Sequence, residues 1–89
     1  MRVISQDGTI DTPYELSMIW IREQYGYLAM ANLPNDEPVI LGKYSSREKA
    51  LKAMKMLREA WISETVEFED GIYHRNIVFR FPQDDEIEV

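Results

Sequence analysis

The stretch from Ser45 to Trp61 constrains the fold more than any other part of the chain, because it alone carries a full helical signature. Ala50, Ala53, Met54, Leu57, Ala60 and Trp61 recur at spacings of three and four, which gathers them on one face of a helix. Glu48, Lys52, Lys55 and Glu59 fall on the opposite face, with Glu48 and Lys52 in the favourable i,i+4 order. Ser45 and Glu48 have the spacing of a capping box, in which the hydroxyl satisfies an orphan backbone N–H and the carboxylate reaches back. The spacing predicts one main helix over about residues 45–61, lying on an apolar surface that the rest of the chain must supply.

That surface is expected to be a sheet. Met1 to Ser5 is short and β-prone, and the Asp7-Gly8 pair after it favours a tight turn. Tyr14 to Arg22 reads as the longest strand, with Tyr14, Leu16, Met18 and Trp20 on one face and Glu15, Ser17, Ile19 and Ile21 on the other. Its second half is apolar on both faces, as in a central strand or one covered by a partner subunit. Tyr27 to Asn32 and Val39 to Tyr44 give two further strands, separated by the proline-containing loop Leu33 to Pro38. Beyond the helix, Thr65 to Glu69 and Ile72 to Phe81 alternate, joined by the Asp70-Gly71 hairpin signal. Strands, helix, then strands again predict an α+β fold: a small antiparallel sheet of about five or six strands covered by one helix. The helix is expected to sit on Leu16, Met18, Trp20, Ile77, Phe79 and Phe81.

Eighty-nine residues point to a single domain spanning 1–89. The net charge is −6, and Asp84, Asp85, Glu86 and Glu88 contribute four negative charges, so without them the balance is −6 + 4 = −2. The acidity is concentrated in a C-terminal tail, 83–89, that reads either as a solvated segment or as an interaction arm. An acidic chain is a poor partner for the phosphate backbone, so direct DNA binding is not expected. With no cysteine, disulfides and thiolate metal sites are excluded, which fits a reducing interior. No apolar run reaches the roughly 20 residues needed to cross a membrane, so a cytoplasmic location and no membrane contact are expected. A core this small favours self-association, and a homo-oligomer is expected.

No pattern in the sequence supports catalysis. His74 stands alone, without a nucleophile elbow or the cysteines a strong zinc site would need, and reads as a half-exposed strand residue. The four glycines are isolated, so no phosphate-cradling loop is present, and the carboxylates lack the alternation of a calcium loop. We expect a non-enzymatic protein with no cofactor and no metal. Arg75, Asn76 and Arg80 are the most informative polar group, because an arginine on the half-buried face of an apolar strand needs a partner. That partner is either an internal carboxylate such as Glu15 or an anionic ligand, since guanidinium groups bind phosphate bidentately and stack on bases. Tyr27 and Tyr44 can supply stacking surfaces beside it.

Three stretches also carry a resemblance: Met1 to Glu15 (MRVISQDGTIDTPYE), Lys43 to Arg58 (KYSSREKA leading into KAMKMLR), and Phe79 to Glu86 (FRFPQDDE). In this order they resemble a family of small phage and prophage proteins from clostridia-like bacteria, and the pattern is similar to the first class of Thoeris anti-defence proteins. The resemblance implies a phage-encoded sponge that sequesters a cyclic nucleotide immune signal intact and acts as an oligomer. Arg80, within Phe79-Arg80-Phe81-Pro82, is then the expected phosphate contact, with Arg75, Asn76, Tyr27 and Tyr44 as further ligand-binding candidates. The chain departs from the family in its short segment between the helix and the last strand. The same origin also fits an acidic inhibitor that binds a host defence protein directly, or a structural or regulatory phage accessory protein.

Overall fold

The computed structural model describes residues 1–33, 37–68, 71–74 and 78–89, with backbone alone over 64–68 and 71–74. Strand β1 (Arg2–Ile4) is followed by β2 (Asp11–Pro13), a 3₁₀ turn (Tyr14–Leu16), β3 (Met18–Glu23), β4 (Tyr27–Asn32) and β5 (Val39–Tyr44). Helix α1 (Arg47–Glu64) comes next, then β6 (Thr65–Phe68), β7 (Gly71–His74), β8 (Val78–Arg80) and a second 3₁₀ turn (Asp84–Glu86). No described helix is long and apolar enough to cross a membrane.

The fold is α+β with one helix, as expected, but the strands do not join into one antiparallel sheet. They divide into a β2-β1-β8 sheet, a β3-β4-β5 sheet and a β6-β7 hairpin. In the first, β1 pairs antiparallel with β2 and parallel with β8, Val3 lying opposite both Thr12 and Phe79. Local reading of the sequence could not show this parallel pairing, because it joins segments near opposite ends of the chain. The expected strand Ile72 to Phe81 likewise splits between two sheets, β7 pairing with β6 and β8 with β1.

The expected long strand from Tyr14 is shorter because its first residues form the 3₁₀ turn. Pro13 starts the turn, and its carbonyl accepts the Ser17 hydroxyl at 2.8 Å. Ser17 in turn shares a 2.8 Å hydrogen bond with the Thr12 hydroxyl. Period-two alternation in β3 holds, but the inward face is the other one. Ile19 and Ile21 pack against the core, whereas Leu16 and Met18 are exposed and Trp20 turns its indole N–H to Asn32 at 3.1 Å.

The apolar face of α1 is the predicted one: Ala50, Ala53 and Leu57 are buried, with Met54, Ala60 and Trp61 packed at the margin. Ala50 and Ala53 on the helix and Ala29 and Ala31 on β4 are all fully buried, and these small side chains let helix and strand approach closely. Val3, Leu41, Tyr44, Phe81 and Ile87 complete the centre. The helix runs from Arg47 to Glu64, later at both ends than expected, and its cap is Ser46, whose Oγ accepts the Lys49 N–H at 3.2 Å. Ser45 is diverted: its backbone N–H and hydroxyl both donate to Asp84 Oδ1, at 2.8 and 3.1 Å. Lys52 donates to the Glu88 carbonyl, while the i,i+4 pair that forms on the helix surface is Lys55–Glu59, at 3.8 Å.

The acidic segment is therefore packed against the body. Ile87 is in the core, Asp84 bonds Ser45 and Lys49, and Gln83 and Glu86 cap each other across the second 3₁₀ turn.

Candidate functional site

Gln6, just before the Asp7-Gly8 turn, joins the two larger sheets. Its N–H donates to the Leu41 carbonyl at 2.8 Å, at the bulge where β5 departs from regular pairing with β4. Its side chain extends the ladder as a strand would: Oε1 accepts the Lys43 N–H at 2.7 Å and Nε2 donates to the Lys43 carbonyl at 3.3 Å. The same Nε2 donates to the Pro82 carbonyl at 2.8 Å, which also accepts the Tyr44 hydroxyl at 2.8 Å. The Gln6 carbonyl accepts Arg80 Nη2 at 3.0 Å and Gln83 Nε2 at 2.8 Å. The three stretches that carry the sequence resemblance thus meet at one junction, through Gln6, Lys43 to Ser45, and Arg80 to Asp84.

The turn beside this junction is held by Asp7, whose Oδ1 accepts the hydroxyls of Ser5 and Thr9 and the Thr9 N–H, at 2.7, 2.7 and 3.0 Å. These bonds, that from Ser5 foremost, hold its carboxyl at about 2, well below the usual carboxylate range. Gly8 follows with φ +76°, where a Cβ would be strained and would lie 3.6 Å from Arg80 Nη2.

Arg80 is exposed. Phe79 and Phe81 turn inward and meet edge to face, with centroids 5.4 Å apart, while Arg80 points to the opposite side with Val78. The expectation of an arginine on a half-buried face is thereby corrected: Val78 and Arg80 are both exposed, so the face of β8 opposite Phe79 and Phe81 is open to solvent. Glu15 is not its partner either, since Glu15 Oε1 takes the Met1 ammonium at 2.7 Å. Among the described residues, Arg80 contacts the Gln6 carbonyl and no carboxylate. Arg80 borders a crevice of about 440 Å³ lined also by Phe81, Pro82, Gln83 and Glu86. Glu86 Oε1 accepts the Gln83 N–H at 2.9 Å.

The other expected ligand residues divide. Tyr44 is 1% exposed, its ring is part of the core, and burial pushes its hydroxyl far above the usual tyrosine range. It supports the junction from beneath and offers no stacking surface. Tyr27, half-buried, lies directly across from Tyr44 in the β4–β5 ladder. Arg75 and Asn76, like Ile77 of the expected helix seat, lie outside the described residues, as does the side chain of His74. Sequence reasoning missed Gln6 and Gln83; both stand inside the resembling stretches, in Ser5-Gln6-Asp7-Gly8 and Pro82-Gln83-Asp84-Asp85, and that was the available signal.

A second concavity, about 540 Å³, lies between the first 3₁₀ turn and α1, lined by Tyr14, Ser17, Met54, Leu57, Arg58 and Trp61 among others. Tyr14 and Trp61 pack there at 4.9 Å, tilted by 36°. Among the described residues, no group of three or more histidines, cysteines or carboxylates is placed to hold a metal ion. The chain matches no protein-family model, no curated protein and no solved structure.

Proposed function

We propose that this chain is a binding protein of the phage anti-defence type, which holds a cyclic nucleotide signal without cleaving it and uses Arg80 as the phosphate contact. The observation that carries this reading is the state of Arg80: exposed, free of any described carboxylate partner, and anchored through one nitrogen to the Gln6 carbonyl. Such an anchor limits the rotamer freedom lost on binding while leaving the remaining N–H donors for a phosphate. Gln83 and Glu86 line the same crevice, where they can meet ribose hydroxyls or the base edge. The meeting of the three resembling stretches around this crevice supports the same reading.

The test is calorimetric titration of the purified protein with cyclic ADP-ribose isomers and cyclic oligonucleotides, followed by heat denaturation and chromatography of the released ligand. Binding without added metal and recovery of intact ligand are expected. Arg80→Ala should weaken binding by about 10- to 100-fold, the value of a charge-assisted phosphate contact, with an unchanged thermal melt. Failure to retain any of these nucleotides overturns the reading. Binding that survives Arg80→Ala but is lost with Arg58→Ala would move the ligand to the groove beside α1 and overturn the role of Arg80.

A further inference from the structure

The groove between the first 3₁₀ turn and α1 is larger than the crevice beside Arg80, about 540 Å³ against about 440 Å³. Its volume falls within the roughly 300–1,000 Å³ of small-molecule sites. The floor is apolar: Leu57 is fully buried, and Ile19 and Met54 are half-buried beside it. Met54 brings a polarisable sulfur to that floor, which suits contact with a ring. One wall is aromatic, formed by Tyr14 and Trp61, whose ring centroids are 4.9 Å apart. Arg58, one residue beyond Leu57 on α1, lines the groove and is exposed.

The charges around this groove do not cancel. Glu15 also lines it, but its carboxylate takes the Met1 ammonium at 2.7 Å. Glu59, next to Arg58 on the helix, pairs with Lys55 at 3.8 Å. Arg58 makes no hydrogen bond or ion pair with any described residue, and the Tyr14 hydroxyl, on a half-buried ring, has no described hydrogen-bond partner. A guanidinium and a phenol O–H are thus left to water beside an apolar floor and an aromatic wall. We infer that this groove binds a small planar aromatic molecule carrying one anionic group, a carboxylate, sulfonate or phosphate. The ring covers the floor against Tyr14 and Trp61, and the Arg58 fork receives the anion. Charge selects the sign of the ligand, because the groove's carboxylate already has a cation and its guanidinium has no anion. Arg80 takes no part, so the inference does not rest on the nucleotide reading.

Naphthalene-2-sulfonate, 2-naphthylmethylammonium and methanesulfonate separate the contribution of the ring from that of the charge. An NMR titration of the ¹⁵N-labelled chain follows the indole N–H of Trp61, which lines the groove, with that of Trp20, bonded to Asn32, as the internal control. Trp20→Phe assigns the two signals. Naphthalene-2-sulfonate should shift the Trp61 signal and not that of Trp20, with a dissociation constant of about 1 mM or tighter for a ligand of its size. The ammonium analogue, which lacks the anion, and methanesulfonate, which lacks the ring, should each bind at least about tenfold more weakly. Arg58→Gln should weaken the sulfonate about 3- to 10-fold, the value of an exposed charge-assisted contact, with an unchanged thermal melt because Arg58 has no described partner to lose. A Trp61 signal that does not move, equal affinity for sulfonate and ammonium, or a sulfonate affinity indifferent to Arg58→Gln overturns the inference. Loss of sulfonate binding in Arg80→Ala also overturns it, by placing the anion in the other crevice. Retention of a cyclic nucleotide through Arg80 is a separate outcome, since it leaves the Trp61 signal in place.

Discussion

Asp7 shows how much a single exposed side chain can organise when its oxygen is shared by three donors. Its carboxyl is held at about 2 by Ser5 and Thr9, against 3.8 for an unperturbed aspartate. A lowered carboxyl pKa contributes stability above the unfolded value and loses it as pH falls through the folded one. Asp7→Asn should therefore lower the melting temperature at pH 7, with the deficit constant down to about pH 4 and closing as pH approaches about 2. Thermal melts of both proteins at intervals across that range check the sign. Local chemistry of this kind was legible in the sequence, since Ser-x-Asp-Gly-Thr announces a turn closed by side chains. The orientation of Arg80 was only half legible. Alternation separated it correctly from Phe79 and Phe81, but whether its face was covered depended on how β8 is placed by its pairing with β1, which no local pattern encodes.

Among the elements, α1 was the most legible, because its periodicity specifies both type and face. The start was misplaced by the competition between two adjacent serines. Ser45 has the better sequence spacing, yet Asp84, from a distant part of the chain, takes both its donors and leaves Ser46 to cap the helix. Ser46→Ala should cost about 1 kcal/mol, as for other N-cap losses, and reduce helix-derived ellipticity near the melting transition. Ser45→Ala removes only one of two bonds to Asp84 and should cost less than Ser46→Ala, measured by urea titration. Strand β3 was the least legible element. Met18 and Trp20 match Ile19 and Ile21 in apolarity, so composition cannot say which side meets the helix.

At the scale of the whole molecule, the acidic segment changes character. Asp84 and one carboxylate oxygen of Glu86 are engaged internally, and Ile87 is 4% exposed within the core. An interaction arm acting through outward charge would retain Asp85 and Glu88 for that purpose, and deleting 83–89 would damage the fold along with the charge. Ile87→Ala should destabilise by about 2–5 kcal/mol, the usual range for truncating a buried aliphatic side chain, whereas Asp85→Asn/Glu88→Gln should stay within about 0.5 kcal/mol of wild type. Chemical denaturation of the two variants separates the roles of packing and charge.

The bond from Gln6 to Pro82 spans 76 positions, and β1 and β8 are paired over a comparable distance. Helix α1 and the β3-β4-β5 meander draw on neighbouring residues and can organise early, but Val3, Phe81 and Ile87 reach the core only when the two ends of this chain find each other. Closing so large a loop costs entropy before its contacts repay it. This closure is expected to slow folding, and stopped-flow refolding of Val3→Ala and Phe81→Ala variants checks whether contacts made across it form in the rate-limiting step.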